Sequence, residues 1–132
     1  MIRKYIPEDY KTIASWWIDR ESTIPSRHLF SDIGFMATDD QTQEPICAIF
    51  MYPTHGSSIC VIGWPVTNPN TNKEQRSKAL DSVLEATHSE AKKMGYSYIW
   101  TTSGVKPVEE RLTKHGYLIG DVNINQYWKG LE

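Results

Sequence analysis

At 132 residues, with a formal net charge of -2 and a pI of about 6.1, the chain has the size of one ordinary domain and can bury a core without metals or disulfides. Its 39% hydrophobic content, 23% charged content and five tryptophans exclude a disordered chain. The charge balance excludes a global electrostatic drive toward nucleic acid or an anionic membrane.

Cys47 and Cys60 fall in apolar runs without CxxC or Cys/His spacing, which predicts buried, reduced thiols and no metal site. The N-terminus has no apolar signal core, and no run approaches the ~18 apolar residues of a membrane span, so the expected location is the cytoplasm.

Residues 2–6 read as a short opening strand, and Pro7 occupies the first turn of a helix that runs to about Arg20. In that helix Tyr10, Ile13, Ala14 and Trp17 fall at steps of three and four, which predicts one buried face with Trp16 about a third of a turn away. Residues 21–31 read as a loop or a short second helix. Residues 33–38 and 45–52 form a hairpin around the polar turn 39–43, and residues 59–66 extend it into a meander after the turn 53–57. Pro65 cannot donate to a ladder, so the third meander strand should lose pairing near Gly63-Trp64-Pro65.

From Lys73 to Met94, Leu80, Val83, Leu84, Ala91 and Met94 follow a helical stripe closed by Gly95. Residues 96–102 read as a strand after a crossover helix, the unit that makes parallel pairing. A shorter helix spans 107–115 before Gly116, and residues 117–128 close the chain with strand-like residues broken by Gly120-Asp121. This order predicts a single α/β domain over residues 1–132, with a mixed sheet of six to seven strands flanked by helices.

Three stretches carry a resemblance. They are Val66-Thr67-Asn68-Pro69 before the long helix, Ala91-Lys92-Lys93-Met94-Gly95-Tyr96 at its end, and Leu112-Thr113-Lys114-His115-Gly116-Tyr117 later. Together with the opening Ile2 to Tyr10, their order resembles the GNAT family of acyl-CoA N-acyltransferases over essentially the whole chain. The pairs Trp16-Trp17 and Asn68-Pro69 also look like a divergent group of small GNAT-like proteins associated with bacteriophages.

The resemblance implies acetyl-CoA as co-substrate, with its pantetheine arm entering a splay between the fourth and fifth strands beside Trp64 and Val66. It also implies a pyrophosphate loop at a helix N-terminus, where unpaired NH groups and the helix dipole attract anions. Counting back from Gly95 places that loop at Gln75, Arg76, Ser77, Lys78, Ala79 and Leu80. Gln75 matches the family's first position, while Lys78 and Leu80 replace its small residues. Two outcomes are open: Lys78 adds a cation for the phosphates, with Arg76 and Lys73, or its side chain and that of Leu80 fill the pyrophosphate space.

The family's usual acid is missing, since its tyrosine position falls on Leu112, and the fourth strand carries no carboxylate. Ser103 is a partial substitute for the acid, or else a turn cap. His55, in the turn before the fourth strand, can titrate near neutral pH, or is simply an exposed turn residue. Trp17, His28 and Asp32 fall in the region that forms the acceptor pocket in the family. Adjacent helical residues diverge by about 100 degrees, so one of Trp16 and Trp17 should be left over. With Arg20 and residues 25–32, that tryptophan would line the acceptor pocket or a partner surface.

The function expected is acetyl transfer from acetyl-CoA to an amine of a small-molecule or protein acceptor, in a chain able to form a homodimer. Nucleic acid is disfavoured because the basic residues of the long helix interleave with Glu74, Asp81, Glu85 and Glu90. The alternative is a catalytically inactive GNAT-fold binding module, such as a phage protein engaging a host or virion partner.

Overall fold

The structure, a computed structural model, describes residues 1–131. It divides into two compact units, Met1–Thr102 and the chain from Ser103 onward. Among the described residues no helix is long and apolar enough to cross a membrane.

The first unit holds β1 (Ile2–Lys4), α1 (Tyr10–Asp19), β2 (Ile33–Thr38), β3 (Pro45–Tyr52), β4 (Ile59–Thr67), α2 (Lys73–Lys93) and β5 (Tyr98–Trp100). The five strands form one sheet in sequence order. β1 to β4 pair antiparallel, and β5 joins β4 in parallel after the α2 crossover.

Strand alternation divides the core between two faces. Met36, Ala48, Phe50 and Val66 pack with Ile13 and Trp16 of α1. Phe35, Ala37, Cys47, Ile49 and Met51 alternate onto the other face, where α2 lies on β2 and β3 and buries Ala79, Leu80, Val83, Leu84, Thr87 and Ala91. Gly34 is required on the α1 face. An added Cβ there would come within 2.8 Å of the Phe50 ring and 2.9 Å of Tyr5 Cβ, and the Phe50 and Tyr5 rings meet edge to face at 4.8 Å. At the other end of α2, Gly95 adopts φ 91°, the left-handed conformation that glycine reaches without a Cβ penalty.

Two expectations need correction. The buried tryptophan of α1 is Trp16, 2% exposed, whereas Trp17 is half-buried and stacks on Phe30 at 5.9 Å. Both pack on the same cluster, because a helix stripe 100 degrees wide accommodates adjacent residues on either side of Ile13. Neither is left over.

The sheet has five strands rather than six or seven. The second unit, described by itself, contains α3 (Lys106–Lys114), and none of its described residues forms a strand. Residues 117–128 supply only short apolar runs, split by Gly120-Asp121 and by Asn123 at φ 56°, a turn conformation that interrupts extended backbone. Leu118, Ile119 and Trp128 are consequently exposed.

Candidate functional site

The site is built where β4 leaves its neighbours. Between Phe50↔Gly63 and Ala48↔Val66 the ladder spends three steps of β4 against two of β3, so one extra residue is inserted at Trp64-Pro65. This is a β-bulge, and proline at its centre removes a donor that no longer has a partner. Trp64 sits at φ 55°, the one positive φ of a non-glycine residue inside a strand among the described residues. Such a conformation costs about 1–3 kcal/mol and persists where surrounding packing over-determines it. Here the Trp64 ring meets the Phe30 ring edge to face at 6.3 Å.

On its other side β4 pairs with β5 only through Ile59↔Tyr98, Cys60↔Ile99 and Val61↔Trp100. Beyond that point the Ile62 carbonyl accepts from the Thr101 side chain at 2.9 Å instead of from a ladder NH. Residues 62–67 of β4 therefore run on with β3 alone. The expected loss of pairing takes two forms: a bulge toward β3 and a splay from β5.

β4 ends in a short connection fixed by Asn68, which is 6% exposed. Its NH donates to Ile46 O at 2.7 Å, and its side-chain amide donates to Pro45 O at 3.0 Å and Glu44 Oε1 at 3.3 Å. Its Oδ1 accepts from Asn70 NH at 2.9 Å, while its carbonyl accepts the Thr71 hydroxyl at 2.7 Å. The connection delivers the chain to Asn72, the N-cap of α2. Asn72 Oδ1 accepts from Gln75 NH at 2.8 Å, and Gln75 Oε1 accepts from Asn72 NH at 3.0 Å, a reciprocal capping box. With Gln75 NH so engaged and Arg76 NH bonded to Asn72 O at 3.1 Å, the NH groups of Lys73 and Glu74 form the open end of the helix.

Residues 75–80, expected as a turn, are thus helix from Lys73 onward, and the helix start lies upstream of them. Leu80 and Ala79 are each 6% exposed and point into the core, not toward the helix end. Gln75 and Lys78 line a small cleft of about 140 Å³ with Asp39 and Asp40 of the β2–β3 turn, where Lys78 faces the Asp40 charge. Ser77 is half-buried one turn into the helix. Arg76 differs from all of these: its guanidinium turns back to donate to Thr71 O, beside the end of β4.

Arg20, at the C-terminus of α1, reaches the same place. It donates to Thr67 O at 2.5 Å, to the Thr67 hydroxyl at 2.9 Å and to Trp16 O at 3.3 Å. Burial and the Arg76 charge hold its pKa below the ordinary value, with Asp19 opposing. Neither Arg20 nor the Asn72 cap was marked for this position by the sequence. The cap was legible as an Asn-x-x-Gln spacing, whereas nothing local to Arg20 signals Thr67, forty-seven residues away.

The remaining candidates are distributed more widely. Phe30 anchors the loop over the α1 face of β4, stacked on Phe50 at 4.4 Å, with Tyr10 donating to Pro25 O at 2.8 Å and Tyr52 to Leu29 O at 2.6 Å. Burial pushes the Tyr52 hydroxyl up to about 12. This loop brings Trp17 and residues 27–32 together, although the His28 and Asp32 side chains are exposed. His55 is exposed in the β3–β4 turn, beyond Ile59, which itself lies about 20 Å along β4 from Pro65. Ser103 belongs to the second unit, where its hydroxyl accepts from Val105 NH at 3.1 Å, a local turn bond ahead of α3. Cys47 and Cys60 are free and buried, and burial raises both thiols.

No protein-family model matches the chain, and no match is found among the curated proteins. Solved structures do match. The TTHA1254 protein from Thermus thermophilus is 17% identical, with a TM-score of 0.71 over 100% of this chain and 99% of that one. A GNAT-family acetyltransferase from Bacillus anthracis is 19% identical, with a TM-score of 0.63 over 87% and 77%. A predicted acetyltransferase from Clostridium acetobutylicum, solved with acetyl-CoA, is 15% identical, with a TM-score of 0.66 over 96% and 95%.

The chain has a divergent GNAT fold. Arg20 and Arg76 tie to Thr67 and Thr71 at the two ends of the connection from β4 to α2, whose first NH groups follow Asn72.

Proposed function

We propose that this GNAT-fold chain is an N-acyltransferase that transfers acetyl from acetyl-CoA to an amine of a small-molecule or protein acceptor. The observation that carries this reading is the isolation of residues 62–67 of β4, bulged at Trp64-Pro65 and released by β5 after Val61. An extended thioester arm fits a strand edge that has lost its neighbour, because both supply alternating amide donors and acceptors.

The residues present fit such a donor. The Ile62 carbonyl is turned to the β5 side, and the helix that follows β4 opens with the NH groups of Lys73 and Glu74. Bound acetyl-CoA would supply an activated acyl carbon, whose bond to sulfur breaks as the acceptor nitrogen bonds to it and the thiol leaves with a proton. The backbone around Trp64 and Val66 would orient the thioester and polarise its carbonyl, and a rigid bulge costs no reorganisation at that step. β4 carries no carboxylate, so the acceptor's proton would pass to water. The aromatic loop of Trp17 and Phe30 would form the wall on which an acceptor rests.

An assay of thiol release from acetyl-CoA against a panel of primary amines and peptide N-termini tests the reading. Turnover with at least one amine, and gain of one acetyl group by that amine in a mass spectrum, is the expected result. Saturable CoA binding without turnover on any amine would instead assign the fold to a binding role.

A further inference from the structure

We infer that residues 119–131 of the second unit pair antiparallel with the same residues of a second copy of this chain, making a two-fold symmetric homodimer. The inference is independent of the acyl-CoA reading above.

The segment leaves a large apolar surface in water. Tyr127 is 86% exposed and Trp128 76%, and these two side chains alone expose on the order of 300 Å². That already matches the largest apolar patch of a typical monomer, before Ile119, Val122 and Ile124, each more than half exposed, are added. Two copies together hold enough such surface for an interface of about 1,200–2,000 Å², the range of stable complexes.

The sequence of the segment is complementary to itself. With Asn125 on the two-fold axis, antiparallel pairing sets Asp121 opposite the partner's Lys129, Val122 opposite the partner's Trp128 and Ile119 opposite the partner's Leu131. Symmetry makes each of these contacts twice. Residues two apart share a face of a strand, so Val122, Ile124 and Trp128 form an apolar side, while Asp121, Asn123, Asn125, Tyr127 and Lys129 form a polar one. Asn125 already reaches the Tyr127 hydroxyl at 3.5 Å along that polar side. Moving the axis in either direction loses both charge pairs, so the register is specific.

Two further observations agree with this pairing. A two-stranded ribbon is marginal by itself and gains stability by laying its apolar side on a helix. In the same unit Val105, Val108 and Leu112 fall at steps of three and four along α3, and none of them is buried. The one residue that must change is Asn123, from φ 56° to extended backbone, and asparagine is among the residues that visit the left-handed region most readily.

The test is sedimentation equilibrium from micromolar to submillimolar protein, with circular dichroism confirming that each sample is folded. The samples are the wild type, Asp121→Lys, Lys129→Asp, an equimolar mixture of those two variants, and Trp128→Ser. The expected result is a wild-type dimer that either charge variant weakens about tenfold or more, because both charge pairs become like-charged. The mixture should regain dimers, since each variant then meets opposite charges on the other, and Trp128→Ser should sediment mainly as monomer. A wild type that stays monomeric over this range would overturn the inference. So would charge variants that dimerise as well as wild type, or a mixture that associates no better than its components. Asp121 and Lys129 are exposed, so their variants carry the test even where Trp128→Ser fails to fold.

Discussion

Replacing Asn68 by alanine should damage the connection on which the whole site hangs. Its side chain is nearly buried and makes three hydrogen bonds, at 2.9 Å from Asn70 NH, 3.0 Å to Pro45 O and 3.3 Å to Glu44 Oε1. The first two are neutral and well formed, each contributing about 1 kcal/mol net, and the third is long and partly solvated and adds little. Leaving the half-buried Pro45 carbonyl short of a donor adds a desolvation cost, for a total of about 2–3 kcal/mol. At this chain length that corresponds to a fall in Tm of roughly 10 °C. Urea melts of wild type and variant, fitted with a common m-value, would measure it.

The Asn68→Asp variant separates hydrogen bonding from shape. It keeps an acceptor for Asn70 but sets a second oxygen against Pro45 O and the Glu44 carboxylate. The native pKa of the introduced carboxyl should therefore be raised. Its penalty should be absent below the unfolded value of about 3.9 and fully present above the raised native one. A loss under about 1 kcal/mol for Asn68→Ala, or an Asn68→Asp variant as stable as wild type at neutral pH, would refute the reasoning.

Other outcomes follow from single contacts. Asp9 accepts a bidentate pair from Arg3 at 2.8 Å each and the Ile6 NH at 2.9 Å. Burial pushes its pKa up, but the Arg3 hydrogen bonds, the Ile6 NH and the Arg3 charge outweigh it and hold the carboxyl below its usual range. Asp9→Asn should cost about 2 kcal/mol at pH 7, less than a fully buried pair because the Arg3 side chain is 39% exposed. In chemical melts across pH, the gap between Asp9→Asn and wild type should persist above the unfolded carboxyl pKa and close as the pH falls through the native one. Gly34→Ala should cost about 1–3 kcal/mol in the same melts, because Phe50 and Tyr5 must both move. Asn72→Ala should cost about 1 kcal/mol by removing the cap of α2. Cys47 and Cys60 should resist a thiol reagent in the native protein and react at the unfolding rate, since both are buried and their thiols are raised.

The sequence was most legible where turn chemistry bounded a pattern. β2 and β3 fall at residues 33–38 and 45–52, the bounds expected from their alternation, because the polar turn between them leaves no other register. Pro65 correctly located the disturbance of β4, since a missing donor has the same consequence in any context. The helix start was legible at Lys73, whereas residues 75–80, counted back from Gly95 as a loop, lie inside the helix. A capping box between Asn72 and Gln75 fixes that start, and its signature was present in the sequence.

Two features lay beyond local pattern. The tryptophan that α1 buries depends on the tilt of the helix over Met36 and Phe50, a tertiary property. The apolar residues 117–128 satisfy strand propensity yet form no strand, because propensity measures fit to a sheet that must be supplied by the rest of the chain. Arg20 is the sharpest case. Its partner is Thr67, across the chain, and only the fold sets the two side by side.

We propose that the β4 splay and the connection after it receive an acyl-CoA. Its most direct test is a two-dimensional amide NMR titration of the protein with acetyl-CoA. Saturable shifts concentrated at residues 62–67 of β4 and at Lys73 and Glu74, with the amides of β1 and β2 unmoved, are the expected result. Saturation with shifts elsewhere, or none at millimolar acetyl-CoA, would contradict it.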